Sequence, residues 1–476
     1  MSSIKLTGLF LGLLLFSTVL LLPPPDGLSA DGWKTIGVAM LMATFWVFEP
    51  IPIPATSLLP LIIFPLLDVA DLKTVAVPYS HPVIMLLLGG FIIATSLEKW
   101  NLHRRVAMWI LLRVGHNLSH VVAGFMFVTA LLSMWISNTA STLMIMPIAL
   151  TVGRAVLGGE AGRHPFLVCL VIGVAYGANI GGIATLIGTP SNVIAAGYLS
   201  EAYGQTVTFL QWAMFGVPVA LLLLPAGWLV LTKITFRFDV KETSVVSSII
   251  YDEMTALGKV TTSEKRLVVI FLMIAGCWIL RPLLSEILGL PNLNDTVIAL
   301  SGVLVLFLVP SGNTSGGNAG AILDWETARK IPWGMLILFG GGLSLAAIVA
   351  DTGVSDWLSS QLRGTGQISL VLLMALVVGS IVFLTEFTSN VGTITAALPV
   401  LGPVAEASGA DPLFFAVAGA VASSCAFMMP VATAPNAIAF STQMFSIPEM
   451  MRAGLILNII ATIVITAVIY VAAVCW

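Results

Sequence analysis

Ser137-Asn138-Thr139 stands inside an apolar run from His120 to Gly158, with VVAGFMFVTALLSMWI before it and LMIMPIALTV after it. Ser389-Asn390-Val391 repeats the arrangement between LVLLMALVVGSIVFLTEFT and GTITAALPVLGPV. Small polar residues at these depths mark breaks in helices. A helix broken within hydrocarbon leaves backbone N–H and C=O groups unpaired, which is tolerable only where they line a cavity or bind something. Free amides at a half-helix N-terminus, the positive end of its dipole, suit an anion. Free carbonyls and an Asn side-chain oxygen suit a hard cation such as Na+. Ser and Thr hydroxyls can turn either way. No Lys, Arg or His lies in either tip, nor in the loops Gly188-Thr189-Pro190-Ser191-Asn192 and Thr433-Ala434-Pro435-Asn436. An anion bound here would be held by neutral donors and by cations bound nearby.

The elements that must position these residues are membrane helices. The chain has 476 residues, of which 58% are hydrophobic and 9% charged, with a mean hydropathy of +1.04. Soluble domains carry roughly 25% charged residues, so the composition predicts an all-α polytopic membrane protein. A span needs about 20 apolar residues. The net charge of -3 argues against a nucleic-acid partner. Cys169, Cys277, Cys425 and Cys475 lie far apart in apolar runs and read as small hydrophobes, not disulfides or metal ligands.

Residues 1–32 hold a first transmembrane helix and loop. Leu28-Ser29-Ala30 faintly suggests a signal-peptide cleavage site, but Pro23-Pro24-Pro25 and the spans beyond favour a retained helix. A first repeat is expected over 33–232, a cytoplasmic linker with no motif of its own over 233–266, and a second repeat over 267–476. In the first repeat, Phe166–Leu199 is interrupted at Gly177–Gly182 and again at Gly188–Asn192; in the second, Phe414–Phe440 is interrupted. Pro82, Met85 and Gly90 align with Pro332, Met335 and Gly340, Ser137-Asn138 and Pro147 with Ser389-Asn390 and Pro399, and Thr189–Ile194 with Thr433–Ile438. Broken segments at matching places in two halves point to a transporter's binding site.

With a cytoplasmic N-terminus and each tip on a hairpin that returns to its own face, the chain makes about eleven spans and ends outside. All of the 20 Lys and Arg except Lys34, Lys73, Arg281 and Arg363 then lie on the inner side, as the positive-inside rule asks. The two repeats are therefore expected to be inverted, each with one re-entrant helical hairpin and one broken helix.

The paired Ser-Asn-Thr and Ser-Asn-Val tips, with GTPSN and ATAPN, resemble the divalent anion/sodium symporter family, whose members carry dicarboxylates, citrate or sulfate. The resemblance covers nearly the whole chain after the first helix. It implies a homodimer working as an elevator in a bacterial inner membrane. It also implies Na+ coupled to uptake of a di- or tricarboxylate such as succinate, malate, fumarate or citrate. Carried over by position, one Na+ would lie by Ser133, Ser137, Asn138 and the Gly188 carbonyl, and another by Thr385, Thr388, Asn390 and the Ala432 carbonyl. The substrate would meet Asn138, Thr139 and Pro190 on one side and Ser389, Asn390, Val391, Thr433 and Ala434 on the other. Val391 departs from the pattern, where a second Thr is common, and Ala434 departs where Pro is common; both bear on substrate choice.

Other residues have plainer readings. Glu386, beside the second tip, is either an ion or proton carboxylate or a structural acid bonded to hairpin amides. His81, His103, His116, His120 and His164 fall near span ends and read as interfacial. Gly89-Gly90 and Gly340-Gly341-Gly342 read as packing, as do Asn179 and Trp135. An anion exchanger or exporter, by dicarboxylate antiport or with sulfate as substrate, is the alternative on this fold. An intramembrane enzyme finds no nucleophile and base, paired Asp or His/Glu metal set at membrane depth, and the chain has no GxxxxGK[ST] motif. Ion gradients are the expected energy source.

Overall fold

The computed structural model describes residues 3–115, 117–158, 164–238, 245–312, 320–362 and 368–475. His116, Arg163, Lys241, Arg363 and most of the loop 311–320 lie outside them. Among the described residues the regular elements are all helices. Leading in are α1 (Ser3–Leu21), α2 (Ala30–Phe48), α3 (Ile53–Thr56), α4 (Leu59–Leu66), α5 (Leu72–Ala76), α6 (Pro82–Lys99) and α7 (Leu102–Leu111). The first tip joins α8 (Leu118–Ser133) to α9 (Asn138–Val156), after which come α10 (Pro165–Ile183), α11 (Pro190–Tyr203) and α12 (Phe209–Leu229). The middle of the chain forms α13 (Val245–Ala256), α14 (Thr262–Ile279), α15 (Arg281–Leu288), α16 (Asp295–Leu308), α17 (Trp325–Ala328), α18 (Trp333–Asp351) and α19 (Val354–Leu362). The second tip joins α20 (Leu370–Leu384) to α21 (Asn390–Ala407), followed by α22 (Pro412–Ser423), α23 (Ala434–Ser441) and α24 (Ile447–Cys475).

By length and composition, 6 helical segments among the described residues can cross a membrane, and α14 with α15 would make a seventh but for an 83° bend between them. Leu118–Ser133, Leu370–Leu384 and Pro412–Ser423, which flank the tips and the second broken segment, are shorter apolar helices. The first two stop short because the chain breaks at the polar tips the sequence singled out, and the third ends at Ser423, ahead of the Thr433 that caps the next helix. Thr261 and Glu264 start α14 with a reciprocal capping box. Leu267–Leu288 reads in sequence as one span; instead α15 turns away at Leu280 with Pro282 in its first turn and no buried residue.

At the centre is α10, whose spanning window is fully buried. It is apolar on every side, as a helix surrounded by other helices must be. Here the expectation of an interruption at Gly177–Gly182 is corrected: α10 runs unbroken through it to Ile183. The glycines serve packing. A Cβ on Gly177 would sit 2.5 Å from the Met126 carbonyl oxygen, and one on Gly181 would sit 2.1 Å from that of Ala130, so α8 and α10 touch backbone to backbone. The real interruption falls between Ile183 and Pro190.

Between the halves, Val245–Ala256 is helical. It is tied to α7: Arg104 pairs with Glu253, and Arg105 lies 3.2 Å from Glu264 while donating to the carbonyls of Leu257 and Gly258 at 3.0 and 2.9 Å. At the C-terminal end of α6, Lys99 bonds Asp324 at 2.5 Å, and this partner holds the Asp324 carboxyl down at about 2.

Candidate functional site

Four helix N-termini converge on one cavity of about 390 Å³. Ser137 caps α9, its Oγ accepting from Ala140 N at 3.1 Å, and Ser389 caps α21, accepting from Gly392 N at 3.0 Å. Thr433 caps α23 by accepting from Asn436 N at 3.2 Å. Thr189 stands at the N-cap of α11 with no side-chain cap bond, and Pro190 follows at the first helical position, where a missing N–H costs nothing. Each tip is thus a serine N-cap in extended conformation, and the Asn after it is the first helical residue. The remaining N–H groups of these first turns have no intrahelical partner, and the dipoles add positive potential at the same place.

The cavity is lined by Ser137, Asn138, Thr139, Gly188 and Pro190 from one half of the chain, and by Ser389, Asn390, Val391, Ala432, Thr433 and Ala434 from the other. No charged side chain is among its lining residues. Ser133, Thr385 and Thr388 stand behind it. Ser133 Oγ bonds Asn138 Oδ1 at 2.5 Å, and Thr385 Oγ1 bonds Asn390 Oδ1 at 3.0 Å, the same five-residue spacing in both tips. Each pair sets two neutral oxygens side by side, with Ser133 and Thr385 wholly buried, a donor set of the kind hard cations take. Thr385 Oγ1 also lies 2.8 Å from the Ser423 carbonyl. Thr388 is turned elsewhere, donating to Leu384 O at 3.1 Å and pairing with Thr393 Oγ1.

The two broken segments are stitched in the same way. Asn192 Nδ2 donates to the carbonyls of Thr185 and Gly182 at 2.7 and 3.0 Å, and Asn436 Nδ2 donates to those of Ala426 and Met429 at 2.9 and 3.1 Å. These asparagines close the motifs GTPSN and ATAPN, and they satisfy carbonyls that the breaks leave orphaned. Glu386 complements them on the donor side. Its carboxylate accepts from the backbone N–H groups of Phe427, Met428 and Met429 at 2.7, 2.8 and 2.8 Å, and from Asn458 Nδ2 at 2.7 Å. Of its two readings, the geometry supports the structural acid. Gly182 is needed for a different reason, since a Cβ there would meet Asn138 Oδ1 at 2.5 Å.

Two residues that read as packing in the sequence line the cavity. Trp135 stacks on Phe209 with ring centroids 5.8 Å apart and meets Phe271 edge-on at 4.9 Å, while presenting a wall of the cavity. Asn179 reaches across to the other half, donating from Nδ2 to Thr433 Oγ1 and to Asn436 Oδ1, both at 3.1 Å. The sequence hint for Asn179 was an amide in the middle of an otherwise apolar helix, which is expensive unless paired.

Over residues 3–476 the chain matches the sodium:sulfate symporter transmembrane region. The chain belongs to that family, the divalent anion/sodium symporters. Among its relatives is the sodium-dependent dicarboxylate transporter SdcS of Staphylococcus saprophyticus, 38% identical over 473 residues, which span 98% of this chain and 91% of the relative. SdcS of Staphylococcus aureus is 37% identical over the same shares. This symporter fold is similar to two solved structures. MtrF of Neisseria gonorrhoeae, from a class of antimetabolite efflux pumps, gives a TM-score of 0.59 at 14% identity, covering 100% of this chain and 96% of that one. The Alcanivorax borkumensis YdaH transporter gives 0.59 at 15%, covering 98% of each. These likenesses establish a multi-pass, all-helical transporter fold.

Proposed function

We propose that this symporter couples inward movement of Na+ to uptake of a di- or tricarboxylate, with succinate, malate, fumarate and citrate as candidates. One observation carries the reading: four helix N-termini and two Ser-Asn caps meet at a cavity without a charged lining residue. Its volume of about 390 Å³ lies within the ~300–1,000 Å³ usual for small-molecule sites. Neutral donors alone hold a dianion weakly. The oxygen pairs Ser133–Asn138 and Thr385–Asn390 offer two places for Na+, completed by Ser137 and the carbonyls of Gly188 and Ala432; the Thr388 hydroxyl, held by Leu384 O and Thr393, would have to turn to join them. Cations there supply the positive charge that the lining lacks. Substrate carboxylates then meet Asn138, Thr139 and Pro190 from one half and Ser389, Asn390, Val391, Thr433 and Ala434 from the other. The sodium-dependent dicarboxylate transporters at 37–38% identity support this reading.

Residues 1–32 form a first helix and loop, 33–232 and 267–476 two inverted repeats with a re-entrant hairpin apiece, and 233–266 a cytoplasmic linker. The protein sits in a bacterial inner membrane as a homodimer, N-terminus inside and C-terminus outside, and a transport domain carries the cavity across by an elevator motion. A dianion entering a negative-inside cell is opposed by ~2.3 kcal/mol per charge per 100 mV. Two Na+ make the cycle electroneutral.

The sulfate in the family's description favours a second reading in which sulfate is the substrate, or in which the protein exchanges anions. Proteoliposomes decide between them. Succinate uptake should require an inward Na+ gradient and proceed without internal anion, and sulfate should compete poorly. Uptake only by exchange, or of sulfate in preference to succinate, selects the second reading.

A further inference from the structure

We infer that Asn179 is a positioning residue that fixes Thr433 as a hydrogen-bond donor toward the bound anion. This deepens the proposed function and rests on it.

A threonine hydroxyl has one hydrogen to donate and two lone pairs to accept with. Thr433 Oγ1 accepts from Asn436 N at 3.2 Å and from Asn179 Nδ2 at 3.1 Å, so both acceptor positions are filled. Among the described residues no protein acceptor takes its O–H, and Thr433 lines the cavity. The hydrogen is therefore left for a ligand.

The direction of the Asn179 amide decides this, and the network fixes it. Asn436 Nδ2 gives its hydrogens to the carbonyls of Ala426 and Met429, which can only accept. Its Oδ1 is then an acceptor, and the atom of Asn179 that meets it at 3.1 Å must be the Nδ2. The other Nδ2 hydrogen falls on Thr433. A flipped Asn179 would set two oxygens against each other and draw the Thr433 O–H away from the cavity.

The arrangement is one-sided. Thr189, which matches Thr433 in the first half, makes no side-chain cap bond. Ser423 stands where the alignment of GTPSN with ATAPN would put a second Asn179, and its hydroxyl donates to Ala420 O at 2.8 Å. The locked donor belongs to the half whose tip carries Val391, which has no hydroxyl to offer. Asn179, on α10 of the first half, thus sets the polarity of a residue contributed by the second, and α10 is buried on every side.

The test is a double-substitution cycle in proteoliposomes, with initial rates of Na+-driven succinate uptake for the wild-type protein, Asn179→Leu, Thr433→Val and the pair together. Leucine keeps the branched shape of Asn179, with somewhat more bulk, and removes its donors; Asn179→Ala serves the same cycle if the leucine protein does not assemble. Each single change should raise the succinate KM about tenfold, the size expected for one lost bond to a charged group, with Vmax held within about twofold. The pair should be no worse than Thr433→Val alone, because the two residues act through one hydrogen bond. Asn179→His, which keeps a ring N–H, should recover part of the KM. Losses that multiply in the pair, or an unchanged KM in Asn179→Leu beside an active wild type, would overturn the assignment to Asn179. A wild-type protein without Na+-driven succinate uptake would overturn the transport reading itself.

Discussion

Asn138 and Asn390 each play a double part: the side-chain oxygen meets a buried hydroxyl five residues back, and the residue opens a helix whose free amides face the cavity. Asn138→Ala and Asn390→Ala should each abolish Na+-dependent succinate uptake in proteoliposomes while the purified protein keeps its monodisperse elution profile. Uptake near the wild-type rate in either would remove that tip from the site. Val391 is a narrower case. A hydrogen bond to a charged group contributes ~1.5–3 kcal/mol, so Val391→Thr should shift preference among succinate, citrate and sulfate by about tenfold or more, measured by competition for labelled succinate. Unchanged competition constants would take Val391 out of contact with substrate. These residues were legible from sequence because a polar triplet within apolar flanks has no cheap structural excuse. Asn179 was not, because a lone amide in a buried helix reads as packing until its partners from the other half are known.

At the scale of elements, sequence and structure part company over glycine. Gly177-Ala178-Asn179-Ile180-Gly181-Gly182 looks like a helix breaker, since Gly in a helix interior costs ~1 kcal/mol relative to Ala. Tertiary packing overrides that preference, because α8 and α10 approach too closely for any side chain at Gly181. Gly181→Val should force the helices apart and lower thermal stability in detergent by several degrees or prevent assembly; an unchanged melting temperature would mean the contact is loose. The bend between α14 and α15 was hidden for the opposite reason: Leu267–Leu288 is apolar enough to read as one span, and only the 83° turn at Leu280 separates its parts. Glu386 shows what holds a broken helix in place. Glu386→Gln offers one acceptor oxygen where the carboxylate offers two, and it presents an NH₂ to backbone donors at 427–429. It should lower the melting temperature while leaving the Na+ dependence of residual uptake intact. A changed Na+ dependence with full stability would return Glu386 to the ion pathway.

For the whole molecule, the apolar composition, the all-helical class and the four blocks that meet at the cavity were readable from the chain alone. What the chain could not display was how the halves interlock, since Asn179 to Thr433, Tyr176 to Phe427 and Lys99 to Asp324 join residues more than two hundred positions apart. In the proposed function, an uncharged cavity attracts a carboxylate only when cations occupy the oxygens beside it. Coupling of that kind is reciprocal, so succinate must also tighten Na+. The most direct measurement is equilibrium binding of succinate to the purified protein across a series of Na+ concentrations, with choline holding ionic strength constant. No measurable binding is expected without Na+, and the affinity should climb with a log–log slope approaching two. Succinate bound equally well in choline alone would contradict that coupling.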